Sequence, residues 1–364
     1  MIYFSLLFIS PIVFLIFRKK ENSEKLALLI TCIAVFLLLA LRSKNTGVDL
    51  LPYYNMYEAV KEFSFLDVLK GFSFIHKNSV LGSEWGYTLF TWIFAKIGLG
   101  YQAFLAIQSA FCVFSLYHFI SAHSQKPSLS IVLVIAFGLI DYYYCIVRQA
   151  LAFAILLYCV DFIEKKNYPV CVLLVLAATL FHRTSLVFIV TIPLCFLPIT
   201  WWTSLVFIGL SALILPLFPV LNNLVVKVMK GVYDSSSYLS TGFEFGELIF
   251  ILLAIGLFMT FFYVKKKEVP LKDRFIYWAF MMTIPLQCLS MYMPIFGRLV
   301  TLTFLPFSCV GITNAFLDKE KEPGKLEKGL MLAIFVACVA YYGWCIFLDI
   351  RGLHLIPYRL FFME

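Results

Sequence analysis

Long apolar runs, rather than alternation or heptads, organise this chain. They cover roughly residues 2–17, 26–41, 101–122, 129–147, 149–163, 170–182, 183–198, 203–218, 247–264, 275–293, 298–317 and 329–348. Runs of that kind predict an all-α, polytopic membrane protein with about 12 transmembrane helices. Several are shorter than the roughly 20 residues of an average span, which local bilayer thinning or flanking polar residues inside a bundle would accommodate. The short lysine-rich stretches Arg18 to Lys25, Lys165-Lys166, Lys265 to Arg274 and Lys319 to Lys328 assign the cytoplasmic side. They agree with one another only if an even number of crossings separates each pair. The run 85–99 must then fail to cross. It contains Lys96 and ends at Gly98-Leu99-Gly100, so it is expected as a re-entrant or half-inserted helix beside a cavity on the outer side.

Two polar loops are long, and both fall outside on this topology. The first is 42–84. The second, 219–246, carries Val220, Leu221, Leu224, Val225, Val228 and Val232 at helical spacing with Lys227 and Lys230 among them. It predicts an amphipathic helix on the outer leaflet. No internal repeat stands out, and 1–364 is treated as a single membrane domain. Residues 2–17 are followed rather than preceded by basic residues, which suggests a retained helix with its N-terminus outside.

Composition sharpens this picture. Of 364 residues, 62% are hydrophobic and only 14% charged, against about 25% charged in soluble domains. A water-soluble enzyme, a disordered chain and a nucleic-acid binder are excluded. The net charge of +8 then reports orientation rather than an acidic partner. The ten cysteines sit in or beside apolar runs with no CxxC spacing, so they are expected as small core residues. No phosphate-binding glycine loop, HExxH or nucleophile elbow occurs. No metal ligand set and no cofactor are expected.

Charged groups at membrane depth are functional candidates. Arg42, Arg148, Arg183 and Arg298 lie at predicted outer helix ends, without the lysine clusters that mark the cytoplasmic loops. The planar guanidinium suits phosphate oxygens and keeps its charge, so a convergent set would hold an anionic lipid headgroup such as undecaprenyl pyrophosphate. The alternative for each is snorkelling to the interface or pairing with a nearby acid. Asp141 shares a helical face with Arg148 two turns on and would support it. Asp49, Glu84 and His182 are the candidate proton acceptors. His182 could equally be an ordinary buried histidine. Tyr53, Tyr54, Tyr57, Trp85 and Tyr87 could stack on sugar rings or simply anchor the interface.

The succession Leu41-Arg42-Ser43-Lys44-Asn45-Thr46-Gly47-Val48-Asp49, Tyr53-Tyr54 and Glu84-Trp85-Gly86-Tyr87 resembles the first outer-loop motifs of the EpsG family, which are Wzy-like exopolysaccharide polymerases. Val147-Arg148-Gln149-Ala150-Leu151-Ala152 and Phe181-His182-Arg183-Thr184-Ser185-Leu186 resemble its two central motifs, and Gly297-Arg298 its later arginine motif. Arg183 departs from the small or polar residue more usual after the histidine. The resemblance implies a GT-C-like helical fold and a multi-pass protein of the bacterial cytoplasmic membrane with its site facing outside. It implies transfer of a growing glycan from undecaprenyl pyrophosphate to a new lipid-linked repeat unit, in exopolysaccharide, capsule or O-antigen synthesis. Asp49, His182 and Glu84 would then be catalytic. Arg42, Arg148, Arg298, Arg183, Gln149, Tyr53 and Tyr54 would bind substrate. A flippase and a chain-length regulator would be its partners, besides the bilayer. A flippase for the same lipid-linked unit, or an outer-face glycan ligase, is the alternative reading.

Overall fold

In hydrocarbon every backbone N–H and C=O must be paired within the chain, and the apolar runs accordingly fold as helices. The computed structural model describes residues 2–70, 72, 83–230, 248–293, 295–317, 324–350 and 352–363. The N-terminal layer comprises α1 (Ile2–Phe17), α2 (Ser23–Ala40), the loop helices α3 (Leu50–Val60) and α4 (Phe65–Lys70), α5 (Trp85–Lys96) and α6 (Tyr101–His123). The central stretch holds α7 (Pro127–Ala136), α8 (Leu139–Cys145), α9 (Val147–Leu157), α10 (Cys159–Glu164) and α11 (Tyr168–Phe181). A 3-10 turn follows at Arg183–Val190, then α12 (Thr191–Leu194), α13 (Trp201–Ala212) and α14 (Ile214–Lys230). The C-terminal half contains α15 (Leu248–Val264), α16 (Leu271–Met281), α17 (Thr283–Ser290), α18 (Ile295–Leu299), a π-turn at Val300–Phe304, α19 (Leu305–Phe316) and α20 (Lys325–Phe347).

Among the described residues, four stretches are long and apolar enough to cross a bilayer unaided: Ser23–Ala40, Tyr101–His123, Trp201–Val220 and Lys328–Phe347. A fifth is the bent pair α7–α8, which turns by 57° where Gly138 takes φ +82°. Only glycine enters that left-handed region without a steric cost, so the run 129–147 folds as two pieces. Other expected spans are interrupted too. The run 149–163 breaks at Tyr158 and 275–293 at Met282. The run 183–198 does not form one α-helix: it opens as a 3-10 turn and passes through Pro193, which has no N–H to donate to a ladder.

The helix α5 is 12 residues long, about 18 Å at 1.5 Å per residue, too short to cross the ~30 Å hydrocarbon core. It is tied to the first loop instead. Trp85 Nε1 donates to Val68 O at 2.9 Å, Trp92 Nε1 to Phe63 O at 2.9 Å, and Lys96 Nζ to Lys61 O at 2.7 Å. Part of the second loop is helical, as its spacing predicts, because α14 extends to Lys230. Residues 231–246 of that loop and 73–82 of the first lie outside the described residues.

The core runs through both halves. It is closed at one end by the C-terminal segment, where Ser43 N donates to Arg359 O and Phe361 N to Leu41 O. All ten cysteines are buried and free, as their apolar settings predict.

Candidate functional site

Four segments remote in sequence meet around Glu84. This residue is the N-cap of α5 and is held at 4% exposure. A carboxylate so buried is stable only when paired. One oxygen, Oε2, lies 2.7 Å from Arg148 Nη1, and the other, Oε1, lies 3.4 Å from His182 Nδ1. Arg148 stands at the first turn of α9, just after α8 ends. His182 stands where α11 stops, its backbone extended at φ −154°. Two helix starts and one helix end therefore converge at a single acidic side chain.

Close packing enforces that convergence at Gly86. A Cβ there would lie 2.7 Å from Leu180 O and 2.8 Å from Leu180 Cβ. Both belong to the last turn of α11, two residues before His182. Glycine alone lets α5 approach α11 this closely.

The first loop supplies the other side. Tyr53 on α3 accepts a long hydrogen bond from Arg148 Nε at 3.5 Å, and its ring lies 5.6 Å beneath the guanidinium. Tyr53 in turn meets Tyr87 edge-on at 5.8 Å. Asp49, the N-cap of α3, is half-buried. Burial holds its carboxyl above the ordinary range, while the positive charges of Arg298 and Arg148 pull it partly back. Arg298, on the short α18, is exposed. Asp49 thus sits in the field of both arginines. The loop reaches this position through Gly47, at φ +71°, where a Cβ would fall 2.5 Å from Cys145 Sγ.

The remaining candidates are placed differently. Arg42 is 1% exposed, donates to Leu39 O at 2.8 Å, and lies 5.1 Å over the ring of Tyr144. Its backbone bridges to Leu360 of the C-terminal segment. Arg183 and Gln149 are buried beside His182 and Arg148 in the chain. Tyr54 packs edge-on against Tyr101 at 5.2 Å and under Lys44 at 4.1 Å. Asp141 accepts from Tyr342 of α20 at 2.7 Å. Trp85 and Tyr57 donate hydrogen bonds to Val68 O and Leu99 O.

Sequence reasoning missed a second polar cluster. His118 and His123, near the end of α6, bind the two oxygens of Asp161 at 2.9 and 3.0 Å. Asn314 Nδ2 donates to His123 O at 2.7 Å and to Asp273 Oδ1 at 2.9 Å. Asp161 follows Arg148 by thirteen residues along α9–α10, about 20 Å, so the cluster lies at the opposite end of the bundle beside Lys165 and Lys272. The signal was present in two histidines at the end of an apolar run and an acid just before a lysine pair. Among the described residues no group of three or more histidine, cysteine or acidic side chains is arranged to hold a metal ion.

A family profile, that of the EpsG family, matches residues 25–360, a stretch that contains every residue of the site above. No curated protein and no solved structure matches the chain.

Proposed function

The chain belongs to the EpsG family, and from that premise we propose that it polymerises lipid-linked glycan repeat units at the Asp49–Glu84–Arg148–His182–Arg298 site. The observation that carries the reading is the convergence itself. Two arginines bear on one half-buried carboxyl, and a second carboxylate is paired with an arginine and faces a histidine. That arrangement suits a reaction in which a diphosphate leaves and a hydroxyl loses its proton.

In the proposed step, a hydroxyl of the incoming lipid-linked unit attacks the anomeric carbon of the growing glycan. A new C–O bond forms as the bond from that carbon to the pyrophosphate oxygen breaks. The electron pair departs with undecaprenyl pyrophosphate. Charge grows on the leaving phosphate in the transition state, so preplaced guanidinium groups at Arg148 and Arg298 stabilise that state more than the bound substrate. Asp49 takes the hydroxyl proton. Its raised pKa brings a carboxylate nearer to the working pH, which strengthens it as a base. Glu84 has a different task, because Arg148 already occupies one of its oxygens and His182 faces the other. It fixes the Arg148 fork and holds the proton of His182 on Nδ1. Tyr53 beneath Arg148 limits the fork's rotation.

The same reading assigns the site to the outer face of the bacterial cytoplasmic membrane. The lysine-bearing cluster at Asp161 then faces the cytoplasm, and the bundle is read as a GT-C-like arrangement of about twelve crossings, some of them broken. Neither nucleotide nor cofactor takes part.

The test is direct. Purified protein reconstituted with undecaprenyl-pyrophosphate-linked repeat units alone should yield a ladder of glycans and release undecaprenyl pyrophosphate. Movement of intact units across vesicles without a ladder would instead establish the flippase. Transfer only to a different acceptor would establish the ligase.

A further inference from the structure

We infer that the cleft between α7, α15, α19 and α20 holds the polyisoprenoid chain of the lipid-linked substrate. The cavity measures about 400 Å³, and its walls are formed by residues such as Leu133, Phe137, Ile255, Leu305, Ala337 and Tyr341. That is space for about a dozen waters at ~30 Å³ each, but a water needs two to four polar partners. Only Tyr341 and Cys338 bring a polar side-chain atom to the lining. Its natural occupant is apolar. Ile251 on the lining is exposed, so the cleft is open to the surface that faces lipid.

Continuity with the charged site selects the occupant. The inference rests on the polymerase reading, which brings a pyrophosphate to Arg148 and Arg298. Both arginines lie on chain segments that continue from the cleft walls. Arg298 precedes Leu305 by seven residues through the π-turn, about 10 Å along a helix. Phe137 leads through the Gly138 bend and α8 to Arg148. The π-turn after Arg298 and the 57° bend before Arg148 adjoin the cleft walls at Leu305 and Phe137. A ligand with two phosphates and a long hydrocarbon tail matches this sequence of charge followed by grease. The free-energy gain from burying its methylene and methyl groups would give the long-chain carrier its advantage over a short one.

The test uses the whole protein in nanodiscs and undecaprenyl pyrophosphate carrying a diazirine midway along its chain. Light should attach the probe to the α15 and α20 peptides that line the cleft. Unlabelled undecaprenyl pyrophosphate should displace it, and the same excess of phosphatidylglycerol should not. Ala337→Trp, which fills the cleft, should lower labelling roughly tenfold, a factor worth about 1.4 kcal/mol, and Ala254→Phe should do the same if the first variant folds poorly. Labelling confined to other helices, or equal displacement by phosphatidylglycerol, would overturn the inference in favour of an ordinary lipid seat. Specific labelling by a protein that makes no glycan ladder would keep the cleft and remove the polymerase. A ladder made by a protein whose cleft stays unlabelled would do the reverse.

Discussion

At the scale of single residues, the site depends on geometry more than on charge. Arg148 reaches Glu84 and Tyr53 at once through different nitrogens, and a lysine ammonium at the same position cannot span both. Arg148→Lys is therefore expected to insert and fold normally while polymerisation falls by about a hundredfold, because a small misplacement of a positioning group has that size of effect. Turnover comparable to the unaltered protein would assign Arg148 to simple interfacial anchoring. Asp49 makes a separate prediction about pH. A carboxyl with a raised pKa remains protonated, and idle as a base, further up the pH scale than an ordinary one. Activity should accordingly fall on the acid side with a midpoint above the ordinary ~3.9 of aspartate. Asp49→Asn should abolish transfer at every pH while leaving binding of undecaprenyl pyrophosphate, measured separately, in place. An acid limb that persists in residual Asp49→Asn turnover would move the base elsewhere.

At the scale of elements, the structure explains why short motifs recur at helix ends. Glu84 begins α5, His182 ends α11 and Arg148 begins α9, so each charged group sits where the helical ladder is incomplete and polar partners are required anyway. Gly86 sets how deeply the first two of these interlock. An alanine would press against the carbonyl and Cβ of Leu180, neither of which can swing away as a side-chain tip would. Gly86→Ala normally gains about 1 kcal/mol of helix propensity. Here overpacking, which costs roughly 1–3 kcal/mol, should cancel or exceed that gain, separating α5 from α11 and lengthening the Glu84–His182 contact. The expected signature is a large loss of kcat with KM changed little, since the arginines still hold substrate. Unchanged kcat would show that the 3.4 Å contact is dispensable.

At the scale of the whole molecule, two polar clusters occupy opposite ends of one bundle, and the orientation proposed for them is open to measurement. All ten native cysteines are buried, so a single introduced cysteine should report on its own position. Asn45→Cys in the exposed part of the first loop should react with a membrane-impermeant maleimide from outside the cell, and Lys165→Cys should react only after the cytoplasmic side is opened. The reverse pattern would invert the topology and detach the site from substrates presented outside.

Composition and run length alone make this a helical membrane protein, mark its cysteines as small core residues and single out the charged groups at helix ends. They carry those conclusions because hydrocarbon penalises every unpaired backbone group and every stray charge. The motif at 84–87 and the histidine at 182 could be picked out in the same way. Their pairing could not, because Glu84, Arg148 and His182 are separated by tens of residues and meet only through the way α5, α9 and α11 pack. The breaks at Gly138, Tyr158, Met282 and after His182 also escaped, since hydropathy averages over a turn of backbone and registers apolar content rather than helical continuity. Packing alone places Arg42 against Tyr144 and the C-terminal segment, and Asp49 in the field of Arg148 and Arg298. It also decided that His118, His123 and Asp161 form a second cluster. In each case the deciding quantity is a distance between helices, which no local pattern of residues encodes.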